Sequence, residues 1–323
     1  MIAFRVLMTL MILGFASRLS AQPTNQTQPE VLVVIGAGGS EEYTNTFVES
    51  AEAWKKASQK AGANFTLIGS DSKLGEDSDF ELIHHFFGAQ LQETQQPLWL
   101  ILIGHGTFDG KEAKFNLRGP DMTSADLAEW LKPFHRPLAV VDCSSCSAPF
   151  LRNLSGTNRV LISATRSGYE QNYTRFGKYF AKAISDPSAD LDKDGQISLL
   201  ESFLMASRNV SEFYASEGRL VTEHAILDDN GDGLGTPADW FRGTRAIKKA
   251  KDGAALDGFR ASQFHLIPSA AEEKLNVSER TQRDELEASV EKLRSKKSEL
   301  QEDDYYLQLE HIMIELARLN AQK

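Results

Sequence analysis

Two short segments of the chain carry side chains that could perform nucleophilic chemistry. His105 stands between two glycines just past the apolar run 98–103, and residues 143–146 (Cys-Ser-Ser-Cys) follow the apolar run 138–141 after a single aspartate. A thiolate can attack a carbonyl carbon, and an imidazole can take or deliver the proton that acyl transfer requires. The glycines beside the histidine leave room for a substrate backbone. Together the segments predict a nucleophile and its proton-transferring partner.

Residues 190–201 indicate a second kind of chemistry, because they have the ligand spacing of an EF-hand loop. Aspartates occupy positions 1, 3 and 5, a glycine at position 6 permits the sharp turn, and a glutamate closes the loop. The predicted Ca²⁺ ligands are Asp190, Asp192, Asp194, Gln196 through its backbone carbonyl, Ser198 and Glu201. Pro187 ends the entering helix early, which favours a structural ion over a switch. An acidic surface turn is the alternative interpretation.

Residues 228–239 begin a second loop of the same kind. Asp228, Asn230 and Asp232 take positions 1, 3 and 5, and Asp239 takes the last position. Aspartate is shorter than glutamate there, which predicts weaker chelation, and Pro237 disturbs the helix that would follow. We therefore expect Ca²⁺ as the cofactor of both loops, with the first loop as the stronger site.

Short apolar runs that alternate with helical patterns must position the histidine and the cysteines. Strands are predicted at 31–35, 65–68, 98–103, 138–141 and 160–163, and helices at 41–62, 80–91, 127–131 and 176–184. All-apolar strands separated by helices are typical of a parallel sheet covered on both faces. Sites in such sheets gather outside the carboxyl ends of the strands, where both segments stand. The predicted fold class is α/β, a three-layer sandwich with a mainly parallel sheet over residues 31–185.

The remainder of the chain completes this domain and adds a helical tail. Residues 186–270 hold the two calcium loops around a helix near 199–214. Over residues 271–323, apolar side chains recur at three- and four-residue spacing in two runs, with a polar break at 302–304. This pattern predicts a C-terminal helical hairpin or short coiled coil, which lies on the body or joins two protomers of a homo-oligomer.

The first residues have the architecture of a signal peptide, predicted over 1–21. Arg5 gives a positive start, residues 6–16 form a short apolar core, and Ala21 is a small residue suited to cleavage. The core is too short to span a bilayer comfortably, and no other run is long and apolar enough. We expect an exported protein, periplasmic or extracellular, without membrane contact after cleavage. Residues 22–30 are predicted to be a disordered polar linker.

Composition narrows the class of partner. The chain has 323 residues, of which 41% are hydrophobic, and a formal net charge of -10. Such a composition is that of an ordinary globular protein, and the negative charge argues against nucleic acid as the main partner.

The order of the motifs resembles the caspase, legumain, gingipain and metacaspase peptidases of clan CD. An apolar strand ends in Gly104-His105-Gly106, and after one helix a second apolar strand ends in an acid-and-cysteine motif. The resemblance covers residues 31–185. It implies a caspase-like fold, a peptide or protein substrate, and a cysteine–histidine dyad that hydrolyses peptide bonds. It also makes His105 the proton-transferring residue and places residues 163–168 beside the substrate pocket.

The cysteine half departs from the family pattern. Members commonly place two residues between the apolar run and the cysteine, whereas Cys143 follows Asp142 at once. Strict register puts Ser144 at the nucleophile position, and neighbouring side chains of a strand point opposite ways. Cys143 is the better chemical nucleophile and Ser144 the better positional match. Cys146 comes later and is expected in the first turn of the next helix.

Three functions remain open from these residues. The first is an exported cysteine endopeptidase that uses His105 with Cys143, with Ser144 and Cys146 as alternative nucleophiles. The one-residue mismatch favours the second, a catalytically inactive peptidase fold that acts as a calcium-binding scaffold or binding module. The third is a thiol-redox protein, because a Cys-x-x-Cys motif at a helix N-terminus lowers the pKa of a thiol.

Overall fold

The computed structural model describes residues 28–70 and 75–321. The predicted signal peptide lies outside these residues, as does most of the predicted linker, of which Glu30 already belongs to the first strand. A seven-stranded sheet forms the centre of the fold, with the strand order β10-β9-β8-β7-β3-β1-β2. Its strands are β1 (Glu30–Ile35), β2 (Asn64–Ile68), β3 (Leu98–Ile103), β7 (Leu138–Asp142), β8 (Arg159–Ser163), β9 (Ile226–Asp228) and β10 (Thr236–Pro237).

The five predicted strands are all present and pair in parallel. Leu102 of β3 stands opposite Asp142 of β7, and Asp142 stands opposite Ser163 of β8. The carboxyl ends of these three strands therefore meet at one edge of the sheet. Every residue of β3 and β7 is buried, which explains why these runs are apolar throughout rather than alternating.

Helices cover both faces of the sheet, so the predicted three-layer α/β class is confirmed. One face packs against α1, α5, α6 and α7, and the other packs against α2, α3 and α4. These helices are α1 (Glu41–Lys60), α2 (Asp79–Ala89), α3 (Ser124–Leu131), α4 (Ala148–Leu154), α5 (Phe176–Ala183), α6 (Leu199–Ser216) and α7 (Phe259–Gln263).

The sheet also contains elements that the sequence patterns do not indicate. β9 runs antiparallel to β8, and β10 runs antiparallel to β9, so the calcium-loop region extends the sheet. A three-stranded antiparallel sheet lies between β3 and α3, and a two-stranded one follows β10. Their strands are β4 (Gly106–Phe108), β5 (Ala113–Phe115), β6 (Met122–Thr123), β11 (Phe241–Arg242) and β12 (Arg245–Ala246).

Two further helices, α8 (Val277–Ser295) and α9 (Glu302–Ala321), pack against each other as the predicted hairpin. Ion pairs from Arg280 and Arg283 to Glu272 hold α8 to the segment before it. Gln263 of α7 donates a hydrogen bond to Glu287 at 3.0 Å, which joins α8 to the body. Within the described residues, no helix is apolar over a length that could cross a membrane.

Candidate active site and calcium loops

His105 lies two residues past the end of β3, beside the loop between β1 and α1. Its Nε2 is 3.2 Å from the carbonyl oxygen of Gly38. A carbonyl can only accept a hydrogen bond, so Nε2 carries the proton and Nδ1 is left as the basic nitrogen. The imidazole is thereby oriented by a third group, as a proton-transferring residue requires.

Three aromatic rings surround the His105 imidazole. The ring centroids of Tyr43 and Phe47 on α1 lie 4.9 and 5.3 Å from it, and that of Tyr173 lies 6.0 Å away, all in edge-on contact. Tyr43 and Tyr173 are themselves 4.6 Å apart. The imidazole is thus part of a packed aromatic cluster on the face of the sheet that carries α1 and α5.

Cys143 is on the same face of the sheet as His105, but it is covered. Its N–H donates to the carbonyl of Leu102 at 2.9 Å, which continues the parallel pairing one residue past β7. The side chain packs among residues of α1 and α5 and is only 4% exposed. Gly177 of α5 approaches so closely that a Cβ there would lie 2.6 Å from the Cys143 Cβ. No side chain larger than hydrogen fits above this thiol.

The electrostatic surroundings of Cys143 oppose its ionisation. Burial raises the pKa of the thiol well above 9.0, and the negative charges of Asp142 and Glu223 raise it further. Within the described chain, no hydrogen bond joins His105 to Cys143, Ser144 or Cys146. The structure therefore brings the imidazole and the thiol to one sheet edge without a hydrogen bond between them.

Ser144 points to the opposite face and is bound to Asp142. Its hydroxyl donates to Asp142 Oδ1 at 2.6 Å and its N–H donates to the same oxygen at 2.9 Å. Burial raises the pKa of Asp142 to about 6, although both hydrogen bonds act in the other direction. The second oxygen, Oδ2, has no partner among the described residues. Ser144 is fully buried, so its hydroxyl supports a turn instead of facing a substrate.

Gly106, just past the end of β3, contacts the turn that follows β7. Gly106 exchanges hydrogen bonds with the Ser145 hydroxyl, each 3.2 Å long. A Cβ at Gly106 would lie 2.1 Å from the Ser145 carbonyl oxygen and 3.0 Å from the Ser144 Oγ. The glycine after His105 is thus required for contact with the turn after β7, and not for space at a substrate.

Cys146 lies before the next helix and not in its first turn, because α4 begins at Ala148. It adopts a left-handed backbone conformation, with φ of 60°, and is 1% exposed. Burial and then Asp142 raise its pKa to about 11. Both cysteines are free thiols. The expected lowering of a thiol pKa by a helix N-terminus is therefore wrong for this Cys-x-x-Cys motif.

The first predicted calcium loop has the compact turn that its sequence requires. Carboxylate oxygens of Asp190, Asp192 and Asp194 lie within 4.8 Å of one another. The Asp190 carboxylate accepts the N–H groups of Lys193 and Gly195. Burial raises the pKa of Asp192, and the nearby charges of Glu201, Asp194 and Asp190 act in the same direction. The Lys193 ammonium group of the same loop donates a hydrogen bond to the Asp190 carbonyl oxygen.

Glu201 closes the first loop from the start of α6. One of its oxygens accepts the N–H groups of Leu191 and Asp192, at 2.7 and 3.3 Å. The other accepts the N–H and the hydroxyl of Ser198, each at 2.8 Å, as the capping box of α6. The Gln196 side chain accepts the N–H of Ser269, which ties the loop to the segment before α8.

The second loop repeats the same internal hydrogen bonds. Asp228 accepts the N–H groups of Gly231 and Gly233, just as Asp190 accepts those three and five residues after it. Asn230 accepts the Asp232 N–H and Asp232 accepts the Leu234 N–H. The two turns are therefore equivalent over their first seven positions.

Asp257, which the sequence pattern does not indicate, takes the place of Glu201 in the second loop. One of its oxygens accepts the N–H groups of Asp229 and Asn230, and the other accepts the Thr236 hydroxyl at 2.6 Å. These donors occupy the same loop positions as those that Glu201 binds. Asp239 is exposed and makes none of these contacts in the part of the chain that the structure describes.

The second loop buries more negative charge than the first. Asp228, Asp229 and Asp257 are 1%, 6% and 4% exposed. Burial raises the pKa of Asp257 to about 8, and the charges of Asp229 and Asp228 contribute to the rise. Buried charges require partners. The donor set is carboxylate, amide and carbonyl oxygen, which fits a hard cation such as Ca²⁺.

Comparison with known proteins gives only distant likenesses. No family model matches the sequence, and no curated protein does. The crystal structure of the Drosophila initiator caspase Dronc is similar with a TM-score of 0.44 and 14% identity, over 65% of this chain and 81% of that one. Caspase-1 from Spodoptera frugiperda gives 0.40 and 9%, over 62% and 86%. Both are caspases, one of the groups that the sequence motifs resemble.

Proposed function

We propose that this protein is an exported, calcium-stabilised binding module built on a caspase-like fold, in which the cysteine–histidine pair is closed. The observation that carries the proposal is the burial of every candidate nucleophile. Cys143, Ser144 and Cys146 are 4%, 0% and 1% exposed. A substrate carbonyl must come within contact distance of an attacking atom, and none of these atoms is open to one.

The protonation state of Cys143 supports the same proposal. The thiolate is the attacking form of cysteine, and a neighbouring cation normally lowers the thiol pKa in a reactive site. Here the charges that act on Cys143 are the carboxylates of Asp142 and Glu223, which raise its pKa. Because burial and these two carboxylates raise the pKa of the thiol, the protonated form is favoured. His105 remains oriented, but its Nδ1 has no thiol to deprotonate.

The second part of the proposal is that bound Ca²⁺ stabilises the fold. The first loop would hold the ion through Asp190, Asp192, Asp194, the Gln196 carbonyl, Ser198 and Glu201. The second would hold it through Asp228, Asn230, Asp232 and Asp257, with Asp257 in the place assigned by sequence to Asp239. Bound Ca²⁺ supplies positive charge and draws together oxygens that otherwise repel. The first loop leads into α6 and the second joins β9 to β10 within the sheet, so binding would be coupled to the fold.

A cleavage assay separates this proposal from peptidase activity. Wild type, Cys143→Ala and His105→Ala are incubated with Arg- and Asp-directed fluorogenic peptides in calcium and a reducing agent. The proposal predicts no difference between the three proteins. Cleavage that requires the reducing agent and is lost in both variants would show a working dyad.

The peptidase remains the second candidate, because Cys143 and His105 occupy the same face of the sheet. A thiol-redox role has less support, since both thiols are buried with raised pKa values. It predicts insulin reduction that is lost in Cys146→Ala. Absence of that reduction in wild type would eliminate the redox role.

A homo-oligomer through the C-terminal helices is the partner that we propose for the module. Leu307, Met313 and Ile314 on α9 are 67%, 51% and 44% exposed. Apolar side chains at this exposure favour association with a second apolar surface. Sedimentation analysis of wild type and Leu307→Glu would decide it, because a wild-type monomer would contradict pairing by α9.

A further inference from the structure

The segment between β8 and α5, residues 164–175, crosses the turn that carries both cysteines. We refer to it as the strap. The Thr174 hydroxyl donates to the Cys143 carbonyl, and the Glu170 carbonyl accepts the Cys146 N–H at 3.0 Å. At the other end of the strap, the Thr165 hydroxyl accepts the Ala148 N–H at 3.2 Å. The strap is thus bound to the start, middle and end of the turn 143–148.

Tyr173 of the strap belongs to the aromatic cluster around His105. Its ring packs edge-on against His105 and lies 4.6 Å from the ring of Tyr43. Burial raises the pKa of Tyr173 to about 12, and the neighbouring Cys143 contributes in the same direction. Gly177, which covers the thiol directly, lies in the first turn of α5, immediately after the strap. Strap and first turn therefore cover Cys143 as one unit.

Residues 222–224 hold this unit in place, and we refer to them as the latch segment. Glu223 is 2% exposed and accepts the N–H groups of Arg175 and Phe176 at 2.8 and 3.0 Å. The Tyr214 hydroxyl of α6 donates to its other oxygen at 3.1 Å. The Glu223 carboxylate thus bridges α6 and the junction of the strap with α5.

Glu170 makes the second connection between the strap and the latch segment. Its carboxylate lies 2.6 Å from His224 Nδ1 and accepts the His224 N–H at 3.2 Å. It also accepts the Arg166 N–H and forms an ion pair with the Arg166 side chain at 3.3 Å. Tyr169, Gln171 and Asn172 of the strap are exposed, whereas Ala164, Thr165, Gly168 and Thr174 are buried.

We propose that the strap is an openable cover over Cys143, joined to the latch segment by the carboxylates of Glu170 on the strap and Glu223 on the latch segment. Opening of the strap has to break the latch contacts of Glu170 and Glu223 together with the aromatic packing of Tyr173. Short segments with few buried contacts open locally at a lower free energy than the whole fold. The proposal concerns access to the thiol, so it stands or falls separately from turnover and from calcium binding.

Alkylation of the native protein tests the strap. Wild type, Glu170→Ala, Glu223→Ala and the control Glu212→Ala react with iodoacetamide, and fragment mass spectra distinguish Cys143 from Cys146. Glu212 is a matched control because its carboxylate pairs with Arg208 at 2.6 Å on an exposed face of α6. Each latch variant is expected to label Cys143 about tenfold faster or more, as loss of one charge-assisted hydrogen bond implies. Glu212→Ala is expected to match wild type.

Two results would overturn the proposal. The first is that latch variants which still unfold cooperatively label Cys143 no faster than wild type does. The second is measured on wild type alone, so it applies even if the latch variants fail to fold. Labelling through strap opening stays constant at low urea concentration, whereas labelling through global unfolding rises steeply from the lowest concentration. A steep rise throughout would mean that only complete unfolding exposes the thiol.

Discussion

Gly177→Ala tests whether the Cys143 thiol is really enclosed by α5. In an open helix this change stabilises by about 1 kcal/mol, because alanine loses less backbone entropy than glycine. Here the new methyl group would lie 2.6 Å from the Cys143 Cβ and 3.1 Å from its Sγ. Contacts under 3.0 Å force α5 or β7 to shift, and overpacking of this kind costs about 1–3 kcal/mol. After the gain of about 1 kcal/mol is subtracted, we expect a net loss of up to about 2 kcal/mol.

Gly88→Ala is the matched control for this measurement. Gly88 is an exposed residue of α2 with nothing within 4 Å of an added Cβ, so alanine there should stabilise. Urea denaturation of wild type and both variants gives the free energies of unfolding. If Gly177→Ala is as stable as Gly88→Ala, Cys143 does not lie beneath α5 and the closed-thiol interpretation is wrong. The combination with Cys143→Ala should relieve only the Sγ contact and leave the Cβ contact.

The remaining predictions concern Asp142 and the calcium loops. Because burial raises the Asp142 pKa from 3.8 to about 6, the folded state binds an extra proton in this window and stability falls as pH rises through it. Asp142→Asn keeps the Oδ1 acceptor but cannot ionise. The free energy of unfolding, measured against pH, should therefore exceed that of wild type by up to about 3 kcal/mol above pH 6 and equal it below pH 3.8. Equal pH profiles of the two proteins would contradict this. Calorimetry should count two Ca²⁺ ions in wild type and in Asp239→Asn but one in Asp257→Asn, whereas loss of an ion in Asp239→Asn alone would restore the sequence-based ligand. EDTA should lower the melting temperature by several degrees, since each site filled to about 100 times its Kd contributes about 2.7 kcal/mol; an unchanged melt would exclude a structural ion.

The sequence predicts the strands well where a run of residues is apolar throughout. The runs around Val33, Ile101 and Val140 are apolar throughout, and buried parallel strands are the structure that such runs form. The strands β4, β5, β6, β9 and β10 are two or three residues long, too short to carry a pattern. The position of the histidine past β3 was predictable for the same reason as the strand itself, since sites in parallel sheets follow strand ends.

The site could be predicted only as far as its ligands are local in sequence. The first predicted calcium loop has all its side chains within residues 190–201, and the carboxylate oxygens of Asp190, Asp192 and Asp194 lie within 4.8 Å of one another. The second loop takes its closing carboxylate from Asp257, beyond the end of the motif, and no spacing rule points to it. Gly177 encloses Cys143 through tertiary packing. For this reason, alternation along β7 correctly separates Cys143 from Ser144 but does not reveal that both are buried.

A pH titration of thiolate absorbance in the native, calcium-loaded protein tests the closed cysteine–histidine pair most directly. Subtraction of the Cys143→Ala spectrum isolates the one thiol from Cys146 and the tyrosines. The account predicts no Cys143 thiolate signal below pH 9.0, because burial and two carboxylates hold the proton on sulfur. A Cys143 signal that titrates near neutral pH and disappears in His105→Ala would show an ion pair, and with it a working nucleophile.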